Sequence, residues 1–178
     1  MKMNKNVPNI LTIARIIAVP FFIWAYYADR MILALALFVL ASFTDMLDGK
    51  IARKYNLVSN FGKFMDPLAD KILNYSAFCL FVSGGYMTDW ALIIVLFREF
   101  AVAGIRMLAA EKGKVIAADI FGKIKTVLQM IAVPAMMLGL IVGEKIFLAG
   151  RIVLDLSMIM TVISGYNYIA KNIEVLKG

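Results

Sequence analysis

Apolar residues fall in six long runs, at Ile10–Tyr27, Met31–Thr44 continuing toward Ile51, Phe64–Phe81, Trp90–Leu108, Thr126–Val142 and Ile152–Ile169. Each approaches the ~20 helical residues that cross a ~30 Å hydrocarbon layer. The second, third and fourth runs do so only by including charged residues. The pattern predicts an all-α integral membrane bundle of six transmembrane helices. Lys2 and Lys5 ahead of the first run mimic a signal peptide, but the run contains Arg15 and has no convincing small-residue cleavage site, so it is read as a retained first span. The connections at 28–30 and 83–89 are too short to hold a second domain and no solenoid repeat is present, which predicts one domain over 1–178.

Charge fixes the expected orientation. With alternate connections on opposite sides, Lys2, Lys5, Lys50, Arg53, Lys54, Lys63, Lys112, Lys114, Lys123, Lys125, Lys171 and Lys177 share one side, against Arg30, Lys145 and Arg151 on the other. The bias of twelve to three predicts both termini in the cytoplasm of a multi-pass protein of the cell membrane. The net charge of +7 and pI near 9.5 would suggest nucleic acid in a soluble protein. Here the basic residues cluster between apolar runs, where they meet anionic head groups, so lipid and not nucleic acid is the expected partner.

Composition narrows the chemistry. The chain is 62% hydrophobic and 17% charged, against roughly 45–50% apolar in soluble domains. The absence of histidine excludes His general bases, HExxH zinc sites and Ser-His or Cys-His nucleophile pairs. The single cysteine, Cys79, excludes an intrachain disulfide and a cysteine-held cluster, and its apolar surroundings make it a packing or lipid-facing residue.

Four carboxylates interrupt the second and third runs. Asp45 and Asp48 are spaced i, i+3 and Asp66 and Asp70 i, i+4, so each pair lies on one helix face. A charged Asp at the bilayer centre costs about 3 kcal/mol, so the grouping needs a compensating cause. Facing helices would gather four hard oxygen donors, suited to Mg²⁺ or Mn²⁺. Gly49, Ala52 and Gly62 leave room for a bulky ligand among these acids, and Arg53 supplies a planar fork for phosphate. The set reads as a metal–phosphate site. The alternative, interfacial charges paired with Lys50, Arg53, Lys63 and Lys71, explains single charges but not four acids on two faces.

The spacing Asp45-x2-Asp48-Gly49-x2-Ala52-Arg53-x8-Gly62-x3-Asp66-x3-Asp70 resembles the signature of the CDP-alcohol phosphatidyltransferases at all eight fixed positions. Pro8 to Arg15 looks like that family's entry to the first span, while Asp66-Pro67-Leu68-Ala69-Asp70-Lys71, Arg98-Glu99-Phe100 through Arg106, and Phe121 to Thr126 look like the branch whose acceptor is glycerol 3-phosphate. The resemblance covers nearly the whole chain, less convincingly after Gly139. It implies transfer of the phosphatidyl group of CDP-diacylglycerol to an alcohol, with release of CMP. It further implies two metal ions on Asp45, Asp48 and Asp66, with Asp70 sharing the site and serving as base toward the acceptor hydroxyl. Gly49, Ala52, Gly62 and Arg53 would hold the nucleotide. The family is commonly homodimeric.

Other residues are open to two readings. Asn9 and Thr12 either bind the pyrophosphate or cap the first helix, and Arg15 either joins them or snorkels to lipid phosphate. Arg98, Arg106, Lys123 and Lys125 would converge on a phosphate-bearing acceptor, for which glycerol 3-phosphate fits best and inositol 1-phosphate is the nearest rival. Serine needs fewer cations. Lys125 reads equally as a positive-inside anchor, and Glu99 could pair Arg98 structurally. Arg151 and Asp155 suggest an i, i+4 pair, Asp119 a helix start, and the tyrosines at 26, 27, 86, 166 and 168 lipid-facing or interfacial positions.

Two other classes compete: a divalent-cation transporter using the acidic cluster, and a non-catalytic lipid-binding subunit. The first lacks a polar path to the outer face, and the second leaves Asp70 unexplained.

Overall fold

The computed structural model describes residues 7–54, 60–117 and 119–177, without the side chains of 7–10, 45–54, 60–64, 66, 67, 70 and 176. The described residues are helical apart from short connections: α1 (Val7–Tyr27), α2 (Met31–Lys54), α3 (Asn60–Ser83), α4 (Asp89–Glu111), α5 (Ile120–Val142), α6 (Glu144–Lys171) and the single turn α7 (Ile173–Leu176). The all-α expectation holds. The six long helices have 21 to 28 residues, or roughly 32–42 Å at 1.5 Å per residue. α5 and α6 are long and apolar enough to cross a membrane.

The exterior of the bundle is apolar and its interior carries polar groups beside an apolar core. Large apolar side chains face outward, among them Trp24, Trp90, Phe97 and Phe100. Thr12, Arg15, Asn74, Glu99, Lys125, Gln129, Ser157, Thr161 and Ser164 are buried. Water would penalise both arrangements, whereas lipid accepts the first and forces polar groups to find partners inside the bundle. Cys79 is exposed on that apolar exterior, in line with the lipid-facing reading. The apolar core runs from Phe22 and Phe38 through Leu73, Phe78 and Phe81 to Val95, Met136, Met137 and Leu154.

α1 packs on α2 and α3, and α4 lies along α6. The most extensive interface is the antiparallel hairpin of α5 and α6, closed by Gly143 at φ 142°, a conformation side chains resist. A Cβ on Gly139 would lie 2.2 Å from the Phe147 backbone nitrogen, and one on Gly150 2.6 Å from that of Met136. Glycine at both positions lets the two backbones touch, the usual device of membrane helix pairs.

Several expectations are corrected. α5 begins six residues and α6 eight residues before their apolar runs, because a helix continues past hydrocarbon into polar surroundings that hydropathy does not register. Lys145 and Arg151 therefore belong to α6 and not to a loop. Thr12 is no helix cap, since α1 starts at Val7 and the Thr12 side chain is fully buried. Arg15 does not snorkel: it is 2% exposed and its Nε donates to the Ala41 carbonyl at 3.3 Å. The Arg151–Asp155 pair forms, at 3.1 Å.

Candidate active site

Residues of α3, α4 and α5 line a cavity of about 570 Å³. Arg98 and Arg106 project from α4, and Lys123 and Lys125 from the first turns of α5, so the structure brings together the four cations expected to serve the acceptor. Lys71 of α3 joins them, and Glu99 and Asp119 also line the wall. Among the described residues, five cations face two carboxylates, which gives this part of the cavity a positive surplus.

Glu99 organises this charge. Its Oε1 accepts from Arg98 Nη1 at 2.7 Å and from Lys125 Nζ, while Oε2 lies 3.0 Å from Lys71 Nζ. The side chains of Glu99, Arg98 and Lys125 are 10%, 10% and 6% exposed. A lone buried cation would be costly, and one carboxylate shared by three cations makes the set tolerable while leaving a positive surplus.

Arg98 needs further support to cross between helices. Its Nη2 donates to Ser164 Oγ at 2.5 Å. A Cβ on Gly122 would approach Nη2 to 2.8 Å, and one on Gly165 would approach Cγ to 3.0 Å, so two glycines on α5 and α6 make the slot for this side chain. Two turns further along α4, Arg106 Nε donates to Tyr168 Oη at 3.1 Å, with the guanidinium carbon 5.5 Å from the ring centroid. Because α4 and α6 advance in the same direction, Ser164 and Tyr168 hold Arg98 and Arg106 in register. Tyr168 is 2% exposed, which overturns its reading as an interfacial residue. Its buried hydroxyl found an arginine, and the hydropathy of the α6 run gave no sign of it.

Asp119 precedes α5 as expected for a helix start, but its carboxylate makes no capping bond. One oxygen is 3.8 Å from Lys171 Nζ, and the other is buried without a partner among the described residues. Sequence reasoning missed Lys71, Ser164 and Tyr168 as parts of this site and gave Glu99 only a pairing role. The one available signal was the sequence adjacency of Lys71 to Asp70 and of Glu99 to Arg98.

The acidic motif is carried by helical backbone throughout its described part: Asp45, Asp48, Gly49, Ala52 and Arg53 on α2, and Gly62, Asp66 and Asp70 on the contacting α3. Asn9 lies in the first turn of α1. The side-chain geometry expected of these residues lies outside the described part of the structure. Thr12 is described and sits fully buried on α1.

An apolar helix bundle with a cation-lined cavity beside an acidic helix pair is the frame of a membrane enzyme acting on phosphorylated substrates, and the family profile of the CDP-alcohol phosphatidyltransferases matches residues 5–164. The chain belongs to this family. It is 43% identical to the CDP-diacylglycerol–glycerol-3-phosphate 3-phosphatidyltransferase of Bacillus subtilis, over 97% of both chains. It is 42% identical to the protein of the same name from Rickettsia bellii, over 94% of this chain and 96% of that one.

Proposed function

We infer that this protein transfers the phosphatidyl group of CDP-diacylglycerol to the terminal hydroxyl of glycerol 3-phosphate, giving phosphatidylglycerol phosphate and CMP. Family membership and the relatives' names support the reaction. The observation that carries the acceptor is the cavity in which Arg98, Arg106, Lys123, Lys125 and Lys71 converge, since a dianionic phosphate matches a surplus of positive charge that serine would leave uncompensated.

Four hard oxygen donors at i, i+3 and i, i+4 on two contacting helices fit divalent cations, and Asp45, Asp48, Asp66 and Asp70 would hold two Mg²⁺ or Mn²⁺ ions. Bound there, the ions supply charge neutralisation and orientation to a pyrophosphate. Asn9, Thr12, Gly49, Ala52, Arg53 and Gly62 would seat the nucleotide lipid. The acceptor oxygen attacks the phosphorus that bears diacylglycerol, its proton passes to the Asp70 carboxylate, and the bond from that phosphorus to the CMP oxygen breaks. The bias of basic residues supports six spans in the cytoplasmic membrane, one domain, both termini inside and the cavity facing the cytoplasm. A homodimer is the assembly the family suggests.

The test is CMP release by purified protein given CDP-diacylglycerol with glycerol 3-phosphate, inositol 1-phosphate, serine or glycerol. Efficient turnover is expected with glycerol 3-phosphate alone, abolished by chelation and restored by Mg²⁺ or Mn²⁺. Asp45→Asn, Asp48→Asn and Asp66→Asn should each remove it while the protein still inserts, and Asp70→Asn should cut turnover with less effect on nucleotide-lipid binding. Efficient use of serine, or full activity of the three ligand variants at saturating metal, refutes the reading.

A further inference from the structure

Behind the Glu99 carboxylate lies a second chamber of about 60 Å³. It shares Lys71, Glu99, Lys125 and Thr126 with the large cavity, so the two compartments adjoin along the ion cluster. Its remaining lining includes Asn74 of α3 and Gln129 of α5, which are 7% and 5% exposed. Gln129 lies one helical turn beyond Lys125 on the same face of α5. Its amide nitrogen is buried and has no partner among the described residues. A buried donor left unpaired is a standing cost that a fold retains for a reason.

The size and chemistry of the chamber limit its occupant. The chamber has room for only a few water-sized groups. A phosphate is better matched by the larger cavity, where Arg98, Arg106 and Lys123 add to the two lysines that line both compartments. The polar lining excludes an acyl chain. Among these lining groups the Gln129 amide nitrogen is a buried donor with no partner among the described residues, and the Glu99 carboxylate is an acceptor on the same wall. A hydroxyl group satisfies both at once, accepting from the first and donating to the second.

We propose that this chamber binds the secondary hydroxyl of the acceptor, with Gln129 as the residue that reads it, while the acceptor's phosphate occupies the larger cavity. The inference rests on the acceptor reading above. It makes the enzyme selective for a vicinal diol phosphate and not merely for a phosphorylated alcohol. Water offers the same hydroxyl chemistry, and the experiment separates the two sources.

Purified protein is given saturating CDP-diacylglycerol and either glycerol 3-phosphate or 3-hydroxypropyl phosphate, which lacks only the secondary hydroxyl. The wild type should favour glycerol 3-phosphate by about tenfold or more in kcat/KM, because the deoxy compound leaves buried polar groups unpaired. Gln129→Leu and the near-isosteric Gln129→Met should reduce this preference to within about threefold, chiefly through loss of glycerol 3-phosphate turnover. Equal wild-type use of the two acceptors overturns the proposal without recourse to any variant. Equal losses on both acceptors in the variants also overturn it, and leave the chamber to water. If serine but neither phosphate ester releases CMP, the acceptor reading itself fails and this proposal with it.

Discussion

The two ends of the α5–α6 hairpin use the same residue for opposite purposes. Near the turn, Gly139 and Gly150 remove side chains so that backbone meets backbone. At the far end, Gly122 and Gly165 remove side chains so that the Arg98 guanidinium can pass between helices and reach Glu99 and Ser164. The first arrangement sets how closely two helices pack. The second holds a charge where hydrocarbon would expel it. Along the hairpin, glycine thus serves close packing near the turn and the seating of a buried charge at the far end.

The largest expected effect lies at Glu99, which three cations share. Glu99→Gln leaves Arg98 and Lys125 buried without a counter-charge, and breaking such a pair costs about 3–5 kcal/mol. Thermal stability and glycerol 3-phosphate turnover should both fall steeply. The double variant Glu99→Gln with Lys125→Met removes one stranded cation along with the carboxylate. Part of the lost melting temperature should return, whereas acceptor kcat/KM should not. Full recovery of turnover in the double variant would show that the cluster is only a structural staple.

Legibility in the sequence follows the same division. Helices α1 to α6 could be located because each carries its own apolar run, legible within a single segment. The acidic motif could be located because its residues sit at local spacings on two successive helices. The partners of the cations were not visible, since Ser164 and Tyr168 lie 66 and 62 residues from Arg98 and Arg106. Which face of α6 meets α4 is decided by packing. An apolar run containing Ser164, Gly165 and Tyr168 looks the same whether those residues face lipid or arginine. The snorkelling reading of Arg15 failed for a related reason: its partner, the Ala41 carbonyl, lies on α2, which its own helix does not encode.

An alanine at each end of the hairpin makes the comparison quantitative. In Gly139→Ala the new methyl meets the Phe147 backbone, which cannot step aside, so the helices must separate. Overpacking of this kind costs roughly 1–3 kcal/mol, and the acceptor KM of the protein that remains folded should be unchanged. In Gly122→Ala the methyl meets Arg98 Nη2, the far end of a flexible side chain. Melting temperature should move little, but displacement of the guanidinium should raise the acceptor KM by about tenfold, the worth of one charge-assisted hydrogen bond. Detergent melting curves and two-substrate kinetics on both variants suffice. Loss of stability in Gly122→Ala with unchanged KM would erase the distinction between the two ends.

The smallest effect should come from Tyr168→Phe. The ring stays, and with it the packing against Val102 and Ile105 and the stacking beneath Arg106. Only the hydroxyl that accepts from Arg106 Nε is lost. A net hydrogen bond of about 0.5–1.5 kcal/mol corresponds to roughly a two- to tenfold fall in kcat/KM for glycerol 3-phosphate, with the KM for CDP-diacylglycerol unmoved. Tyr168→Leu removes the aromatic face as well and should cost more on the same substrate. Because Arg106 is exposed while Tyr168 is buried, the tyrosine aims a mobile side chain, and its removal should loosen acceptor binding without unfolding the helix pair. Equal changes in the KM of both substrates would mean that Tyr168 merely fills space between α4 and α6.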